Sequence, residues 1–175
     1  CLHTNPAGRY GTYALPAVDG EYRDDREPDV LGQTVTWRLR PDEALLYVGP
    51  EPPGADYVSF RTYLDDVADG DQRRIYFGSL GDSLNHLMWQ PNDDGTLLVT
   101  STAHAGTLDA VQSAAAAAGW PAMNLDRIPL DSLNLGLAQP ADALRMTLRV
   151  HGIHDPAAVD AWGVSPQVRI LRITP

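Results

Sequence analysis

The sequence predicts a strand-rich α+β domain, with a mainly antiparallel sheet and one alanine-rich helix packed on it. Several segments alternate apolar and polar residues with the period of two that half-buried strands require. Only the stretch over about residues 108–118 is alanine-rich and has the length and end signals of a helix. With 175 residues, of which 43% are apolar, the chain has the size of one domain and can bury a core without disulfides or metals.

We expect two parts in this chain. Residues 1–33 are rich in Gly, Pro, Asp and Tyr without a sustained period, so they predict an extended N-terminal arm laid over the domain. Residues 34–175 are predicted to form a single α+β domain. Its first strand is predicted in TVTWRLR, where Val35, Trp37 and Leu39 share one face.

Further strands are predicted along the rest of the chain, in the segments ALLYVG, YVSFRTYL, RRIYFGSL, SLNHLMWQ, TLLVTSTA, LRMTLRVHG and VRILRIT. The turn residues Asn92 to Gly95 separate SLNHLMWQ from TLLVTSTA, which predicts a hairpin between these two segments. In LRMTLRV, Leu144, Met146 and Leu148 alternate with polar residues, as expected for a strand with one buried face.

The predicted helix carries signals at both ends. Thr107 is placed to cap its amino end, Asp109 lies in the first turn, and Gly119 is placed to end it. Its apolar face is predicted to consist of Leu108, Val111, Ala115 and Ala118. Because the helix follows TLLVTSTA, we expect a strand–helix unit within an otherwise antiparallel arrangement.

Cys1 is the only cysteine, and a lone cysteine at a mature amino terminus is typical of a bacterial lipoprotein. A diacylglycerol on Cys1 would anchor the protein to a membrane through its acyl chains alone. Three alternatives stay open: the chain is a fragment of a longer one, Cys1 pairs with a cysteine elsewhere, or Cys1 is an N-terminal nucleophile. With a free amino terminus, His3 could take part in a square-planar copper site.

The charge of the chain argues against nucleic-acid binding. All 13 basic residues are arginine, 23 residues are acidic, and the formal net charge is −10. An acidic surface repels phosphate backbones and anionic lipid headgroups, so membrane contact would have to come through a lipid anchor. We attribute the absence of lysine to codon bias in a GC-rich genome, in preference to salt adaptation. No stretch approaches the roughly 18 apolar residues of a membrane-spanning helix.

Four segments together resemble an uncharacterised family of exported bacterial α+β proteins. They are PPGADYVSFRTYL from Pro52, FGSLGDSLN from Phe77, TSTAHAGT from Thr100 and NLDRIPLDSLNLGL from Asn124. In order and spacing they cover most of the chain between Gly49 and Leu137. The resemblance implies an exported or envelope location and a single α+β domain, but it implies no reaction. In that family a longer insert stands where this chain has DDVADGDQ.

The densest polar cluster is FGSLGDSLNH, around a predicted turn at the end of a strand. Ser79, or Ser83, could be a nucleophile activated by His86, with Asp82 orienting the histidine. The sequence has no G-x-S-x-G elbow, and we favour the alternative that Asp82 and Asn85 bond the backbone of the turn while His86 lies on a strand face. Arg61, on the neighbouring predicted strand, is a candidate ion-pair partner of Asp82.

Two motifs carry potential metal ligands. Asp65, Asp66, Asp69 and Asp71 flank Gly70 and could hold calcium, but their spacing differs from that of an EF-hand, and a solvated acidic loop is favoured. The second motif is H-x-x-H-D, formed by His151, His154 and Asp155. It would suit a transition metal if the segment were helical, but the strand pattern before it argues against this. We therefore predict no cofactor.

Aromatic residues suggest a binding surface. The four tryptophans, together with tyrosines of the arm, could line a groove for a sugar or an aromatic ligand, although packing in the core is favoured. These residues are Trp37, Trp89, Trp120, Trp162, Tyr10, Tyr13 and Tyr22. Within this idea, Arg61, Asn85 and Trp89 are the predicted binding residues.

The sequence thus favours a non-catalytic, exported and lipid-anchored envelope domain that binds an envelope protein or a small ligand. The first alternative is a hydrolase with its site between Ser79 and His86. The second is an accessory subunit of a larger envelope assembly, in which Tyr10, Tyr13 and Leu15 of the arm would be buried against a neighbouring chain.

Overall fold

The computed structural model describes residues 8–24, 29–30, 32–165 and 167–175. Twelve strands and two α-helices are formed in these ranges. The strands are β1 (Gly8–Thr12), β2 (Leu15–Pro16), β3 (Asp29–Val30), β4 (Gln33–Thr34), β5 (Ala44–Pro50), β6 (Ala55–Asp69), β7 (Gln72–Ser79), β8 (Leu84–Asn85), β9 (Thr96–Thr102), β10 (Asn124–Arg127), β11 (Ala143–Ile153) and β12 (Arg169–Ile173). The helices are α1 (Ala105–Ala117) and α2 (Pro156–Gly163), and Leu130–Ser132 form a 3₁₀ turn. Cys1 and His3 lie outside the described residues.

Three sheets make up the fold. We call the two larger ones sheet A and sheet C, and the small one, of order β2-β4-β3, sheet B. Sheet A has the strand order β1-β11-β6-β7, with β8 also paired to β6. Sheet C has the order β10-β9-β5-β12. Among the described strands, only β9 and β10 pair in parallel, and α1 connects them. The strand-rich, mainly antiparallel α+β class predicted from the sequence is therefore confirmed.

The main core lies between the two sheets. Alternate residues of β6 and β11, such as Phe60 and Met146, pack against Tyr47 of β5 and Val99 of β9. The opposite face of sheet C is covered by α1, whose Val111 and Ala115 contact Leu46 and Leu98. The opposite face of sheet A carries the polar residues of the same strands.

Helix α1 begins earlier than predicted. His104 is the N-cap residue, and its Nδ1 accepts a hydrogen bond from the backbone N–H of Thr107, 3.1 Å away. Thr107 was expected to cap, but it lies inside the helix, where it is buried and its hydroxyl donates to the carbonyl of Asp42. Gly119 ends the helix with a φ of 95°, as predicted. Ala118, expected on the apolar face, is exposed.

A second helix contradicts the expectation of a single one. Asp155 accepts hydrogen bonds from the backbone N–H groups of Ala157 and Ala158, and Pro156 occupies the first turn. An aspartate cap followed by proline is an ordinary signal for the start of a helix, and the prediction of only one helix was therefore wrong. The Asp155 side chain, a candidate metal ligand in the H-x-x-H-D motif, thus caps this helix.

Two predicted strand arrangements were wrong. In TVTWRLR, Thr34 belongs to β4, and the rest of the segment makes only an isolated bridge between Trp37 and Leu144. The polar residues Thr36 and Arg38 are buried together with Trp37 and Leu39. The alternation of polar and apolar residues therefore did not give this segment one solvent-exposed face. The predicted hairpin between SLNHLMWQ and TLLVTSTA does not form either, because β8 pairs with β6 while β9 pairs with β5 and β10.

Part of the predicted N-terminal arm belongs to the sheet and the core. β1 is an edge strand of sheet A, antiparallel to β11. Tyr13 and Leu15 are buried against the chain's own core. Further along, Glu21 accepts hydrogen bonds from the backbone N–H of Arg38 and from the guanidinium of Arg172. These contacts hold the described part of the arm on its own domain.

Candidate functional site

A polar pocket lies on the solvent-facing side of sheet A. It is lined by residues of β1, β6 and β11 and by Ser83, which follows β7: Tyr10, Tyr57, Ser59, Arg61, Tyr63, Ser83, Thr147 and Arg149. On β6, every second residue from Tyr57 to Tyr63 faces this side, while Val58, Phe60, Thr62 and Leu64 are buried. The strand pattern thus gathers three phenol rings, two guanidinium groups and three hydroxyls on one surface.

The two arginines of the pocket are neighbours across the sheet. Arg61 pairs with Thr147, and Arg149 pairs with Ser59, so the two guanidinium groups stand on diagonal positions. The Cα atoms of such positions are about 7 to 8 Å apart, within reach of long side chains. Among the described residues, neither arginine makes an ion pair, and the buried Nε of Arg61 has no hydrogen-bond partner. Two adjacent positive charges without a carboxylate favour an external anion.

Tyr57 lies beside both arginines. The guanidinium of Arg149 stands over its ring, 5.8 Å from the centroid. Its pKa is lowered, chiefly by hydrogen bonding to Ser59, while partial burial acts in the opposite direction. Ser83 and the positive charges of Arg61 and Arg149 lower it further. Hydroxyl donors and positive charges beside an oxygen atom favour its negatively charged form, which is the direction of this shift.

One wall of the pocket is fixed by a bulge in β7. Leu64 pairs with Gly78 and Asp66 with Ile75, which leaves Tyr76 and Phe77 opposite a single residue. Phe77 has a φ of 49°, a left-handed conformation that bulky residues rarely adopt. It stacks on Tyr63 with ring centroids 4.7 Å apart and an interplanar angle of 14°. The bulge therefore holds the Tyr63 ring in place at the cost of local backbone strain.

The residues of the predicted catalytic cluster are not joined to one another. His86 Nδ1 accepts a hydrogen bond from the backbone N–H of Val58 at 3.2 Å, and the hydroxyl of Ser79 donates to the carbonyl of Gly81 at 3.0 Å. Asp82 is exposed. In the described part of the chain, no hydrogen bond connects Ser79, Asp82 and His86, and Arg61 forms no ion pair with Asp82.

Of the three predicted binding residues, only Arg61 lines the pocket. The side-chain oxygen of Asn85 accepts a hydrogen bond from the backbone N–H of Leu87, so Asn85 bonds the backbone of its own turn. Trp89 is buried in the core, and its indole N–H donates to Glu51 at 2.7 Å. Sequence reasoning missed Tyr57 and Arg149, although the alternation of YVSFRTYL and LRMTLRV places them on the same polar faces as Arg61.

The acidic residues proposed for calcium lie on a hairpin. Asp65 and Asp66 are buried near the end of β6, and the two-residue turn to β7 begins at Gly70, with a φ of 63°. Asp65 pairs with Arg145 at 3.0 Å, and Asp66 with Arg73 at 2.5 Å. Asp69 and Asp71 are exposed. The prediction of a loop with four solvated carboxylates was therefore wrong, since Arg145, distant in sequence, and Arg73, on the next strand of the hairpin, pair with two of them.

No group of three or more potential metal ligands occurs among residues 8–24, 29–30, 32–165 and 167–175. His154 of the H-x-x-H-D motif bonds Asp56 instead, at 2.9 Å. His151 lies in β11, in agreement with the strand pattern. The prediction about copper at His3 falls outside the described residues.

The predicted aromatic set does not form one groove, although two of its members, Tyr13 and Trp162, line the same apolar cavity. Trp37 and Trp89 lie in the main core, and Trp120 packs with α1 on the other side of sheet C. Trp162 lies on α2. Tyr22 lies under the guanidinium of Arg38, 4.9 Å from its ring centroid, and Tyr13 is in the core. Of this set, Tyr10 alone reaches the polar pocket.

A buried carboxyl group lies between the two sheets, apart from the pocket. Asp126 on β10 accepts hydrogen bonds from the hydroxyls of Thr62, at 2.5 Å, and Ser101, at 3.0 Å. Burial raises the pKa of Asp126 and outweighs these two hydrogen bonds, which act in the opposite direction. The group thus joins β10, β9 and β6 across the core.

Fold and pocket together define a class: a strand-rich α+β domain with two larger sheets, one small sheet and two helices, and with an arginine–tyrosine pocket on one of the larger sheets. No protein-family model matches the chain, and no curated protein matches it significantly. An uncharacterised protein from Burkholderia cenocepacia, known from a crystal structure, resembles it with 16% identity and a TM-score of 0.48. That match covers 97% of this chain, which spans 31% of that protein's chain. No helix in the described ranges is long and apolar enough to cross a membrane.

Proposed function

We propose that this protein is a non-catalytic binding domain, and that its polar pocket on sheet A takes an anionic group of a small ligand or of an envelope protein. The observation that carries the proposal is the pair of Arg61 and Arg149, which form no ion pair with a carboxylate of the described residues. The nearest effect of an acid is the attraction between Arg61 and the buried carboxyl of Asp126, which lies between the sheets. Elsewhere in the structure the chain pairs arginines with its own acids, as at Arg145 and Arg73.

The chemistry of the pocket favours an oxyanion. Guanidinium groups donate two parallel hydrogen bonds to phosphate, sulfate or carboxylate, and charge-assisted bonds of this kind are the stronger ones. The hydroxyls of Ser59, Ser83 and Thr147 add neutral partners at the same surface. With the net charge of −10, long-range attraction for anions is weak, so affinity would depend on these local contacts.

Inorganic phosphate is the first probe. In an NMR titration at constant ionic strength, we expect saturable shifts of the Arg61 and Arg149 side-chain signals and of Tyr57. Replacing either arginine by glutamine should weaken binding about tenfold or more, because a hydrogen bond to a charged group contributes about 1.5 to 3 kcal/mol. Arg61→Lys should recover only part of the affinity, since it keeps the charge but loses the planar fork.

Arg169→Gln is the matched control, because Arg169 is an exposed arginine on β12 of the other sheet. It should bind phosphate like the unchanged protein. The proposal fails if phosphate gives no saturable shift at the pocket, or if Arg61→Gln and Arg169→Gln bind equally well.

Export and a lipid on Cys1 are a further part of the proposed function, supported by the sequence alone. Where Cys1 is the mature amino terminus, protein purified with detergent from its native host should show an intact mass increased by a diacylglycerol, with or without an N-linked acyl chain. The lipid would bring the polar pocket to envelope partners. An unmodified mass with a free thiol would contradict this part and leave the anion-binding proposal unaffected.

A further inference from the structure

An apolar cavity opens between sheet A and sheet C, beside α2. It has a volume of about 130 Å³, and its walls include Tyr47, Phe60, Met146, Leu148, Trp162 and Val168. Phe60, Met146 and Leu148 face it from sheet A, on the side opposite to the polar pocket. The cavity is therefore separate from the proposed anion site.

Most polar side-chain atoms of these walls are already bonded within the protein; the exception is the hydroxyl of Tyr13, which lines the cavity and is buried without a hydrogen-bond partner. The hydroxyl of Tyr47 and the indole N–H of Trp162 both donate to the carbonyl of Pro50, at 3.0 and 3.1 Å. The hydroxyl of Thr12 donates to the carbonyl of Met146 at 2.7 Å. No charged side chain of the described residues lines the cavity, and burial raises the pKa of Tyr47, which keeps its phenol neutral. A charged ligand would lose its hydration here without compensation.

The opening of the cavity lies beside the end of α2. Gly163, an exposed residue of α2, lines the cavity, and a Cβ atom placed on it would have no neighbour within 4 Å. Val168, which precedes β12, is half-buried on the same wall. A small molecule could therefore enter past α2 without displacing the strands.

We propose that this cavity binds an uncharged apolar group about the size of one aromatic ring. Apolar protein cavities of about 150 Å³ stay free of water and bind benzene. The walls here offer four aromatic rings and the flexible side chain of Met146, which adapts to ligand shape. The rings are those of Tyr13, Tyr47, Phe60 and Trp162. The inference concerns a second ligand class and does not depend on the anion site.

Benzene is the test probe, titrated into the full chain with the Trp162 indole N–H followed by NMR. We expect a saturable shift of this signal and a melting temperature that rises with benzene concentration, because a ligand that binds only the folded state stabilises it. Benzoate, which has the same ring with a carboxylate, should bind at least tenfold more weakly. Absence of a benzene-dependent shift in the folded protein would overturn the proposal.

Substitutions in and near the cavity test whether benzene binds there. Val168→Phe should fill the cavity and abolish the shift, whereas Leu171→Phe should not, because Leu171 is exposed on β12 and does not line the cavity. Gly163→Leu, at a helix position with free space, should close the opening and weaken binding even where Val168→Phe fails to fold. Benzene binding of unchanged strength in a folded Val168→Phe or Gly163→Leu protein would also overturn the proposal.

Discussion

Replacing Glu43 by alanine is expected to lower the free energy of unfolding by about 3 to 5 kcal/mol, because it leaves buried positive charge without its partner. The Glu43 side chain is fully buried. It accepts hydrogen bonds from the Arg172 guanidinium at 2.9 Å, from the Thr174 hydroxyl at 2.8 Å, and from both the backbone and the side chain of Arg40 at 2.8 Å. Arg172 also bonds Glu21, so the cluster connects the N-terminal segment with the last strand.

The stabilisation by Glu43 should depend on pH with a defined sign. Burial alone raises the pKa of its carboxyl, but the bonds from Arg172, Arg40 and Thr174 outweigh burial and hold the pKa below its ordinary value. A carboxyl with a lowered pKa in the folded state stabilises fully above its unfolded pKa and loses this contribution as pH falls toward the lowered value. The difference between the original protein and Glu43→Gln should therefore shrink in acid.

Urea denaturation at neutral and acidic pH measures both effects. The matched control is Asp160→Ala, which removes the exposed ion pair of Arg9 and Asp160, 3.5 Å apart. Exposed pairs contribute about 0 to 1 kcal/mol, so this variant should unfold almost like the original. Equal losses for Glu43→Ala and Asp160→Ala would show that the buried cluster does not stabilise the fold as inferred.

The second large effect is expected at Phe60, one of only two phenylalanines in the chain. Its side chain is 1% exposed and packs between Tyr47 and Trp89, with ring centroids 5.2 and 5.7 Å away. Phe60→Ala should cost about 3 to 5 kcal/mol, as is usual for a buried aromatic residue. Because Phe60 also lines the apolar cavity, the truncation should enlarge that space.

The other phenylalanine provides the comparison. Phe77 is half-buried and has a φ of 49°, so Phe77→Ala removes the stack on Tyr63 but little core packing. Phe77→Gly should recover about 1 kcal/mol relative to Phe77→Ala, because glycine adopts a left-handed conformation without strain. Chemical denaturation of Phe60→Ala, Phe77→Ala and Phe77→Gly measures the free energy of unfolding of each variant. A loss for Phe77→Ala as large as that for Phe60→Ala would contradict this account of the core.

Sequence patterns predicted several strands and helix ends correctly, because these features depend on residues that are close together in the chain. The apolar face of LRMTLRV is buried as expected, since a strand alternates its side chains whatever its neighbours are. The strand–helix unit formed by β9 and α1 also agrees with the sequence, and Gly119 ends the helix by its positive φ. The start of α2 is also a local feature, because Asp155 and Pro156 are a helix cap and a first-turn proline that the sequence alone contains.

Other features depended on partners far along the chain. Asp65 was predicted to lie in a solvated loop, but it is buried and pairs with Arg145, which is 80 residues away in sequence. Thr36 and Arg38 alternate with Trp37 as on a half-exposed strand, yet both are buried, because Arg145 and the N-terminal segment cover their side. The charge of a residue and its place in an alternating pattern indicate whether it favours water or the core. They do not indicate which residues of other segments pack against it.

The sequence by itself determined the α+β class, the alternating faces of β6 and β11, the end of α1 and the acidic balance of the surface. The tertiary structure alone decided that Arg61 and Arg149 stand next to each other without an acid and that an apolar cavity lies between the sheets. The reason is that both sites are formed by residues from strands distant in sequence, and their proximity follows from strand order and register, which no local pattern specifies.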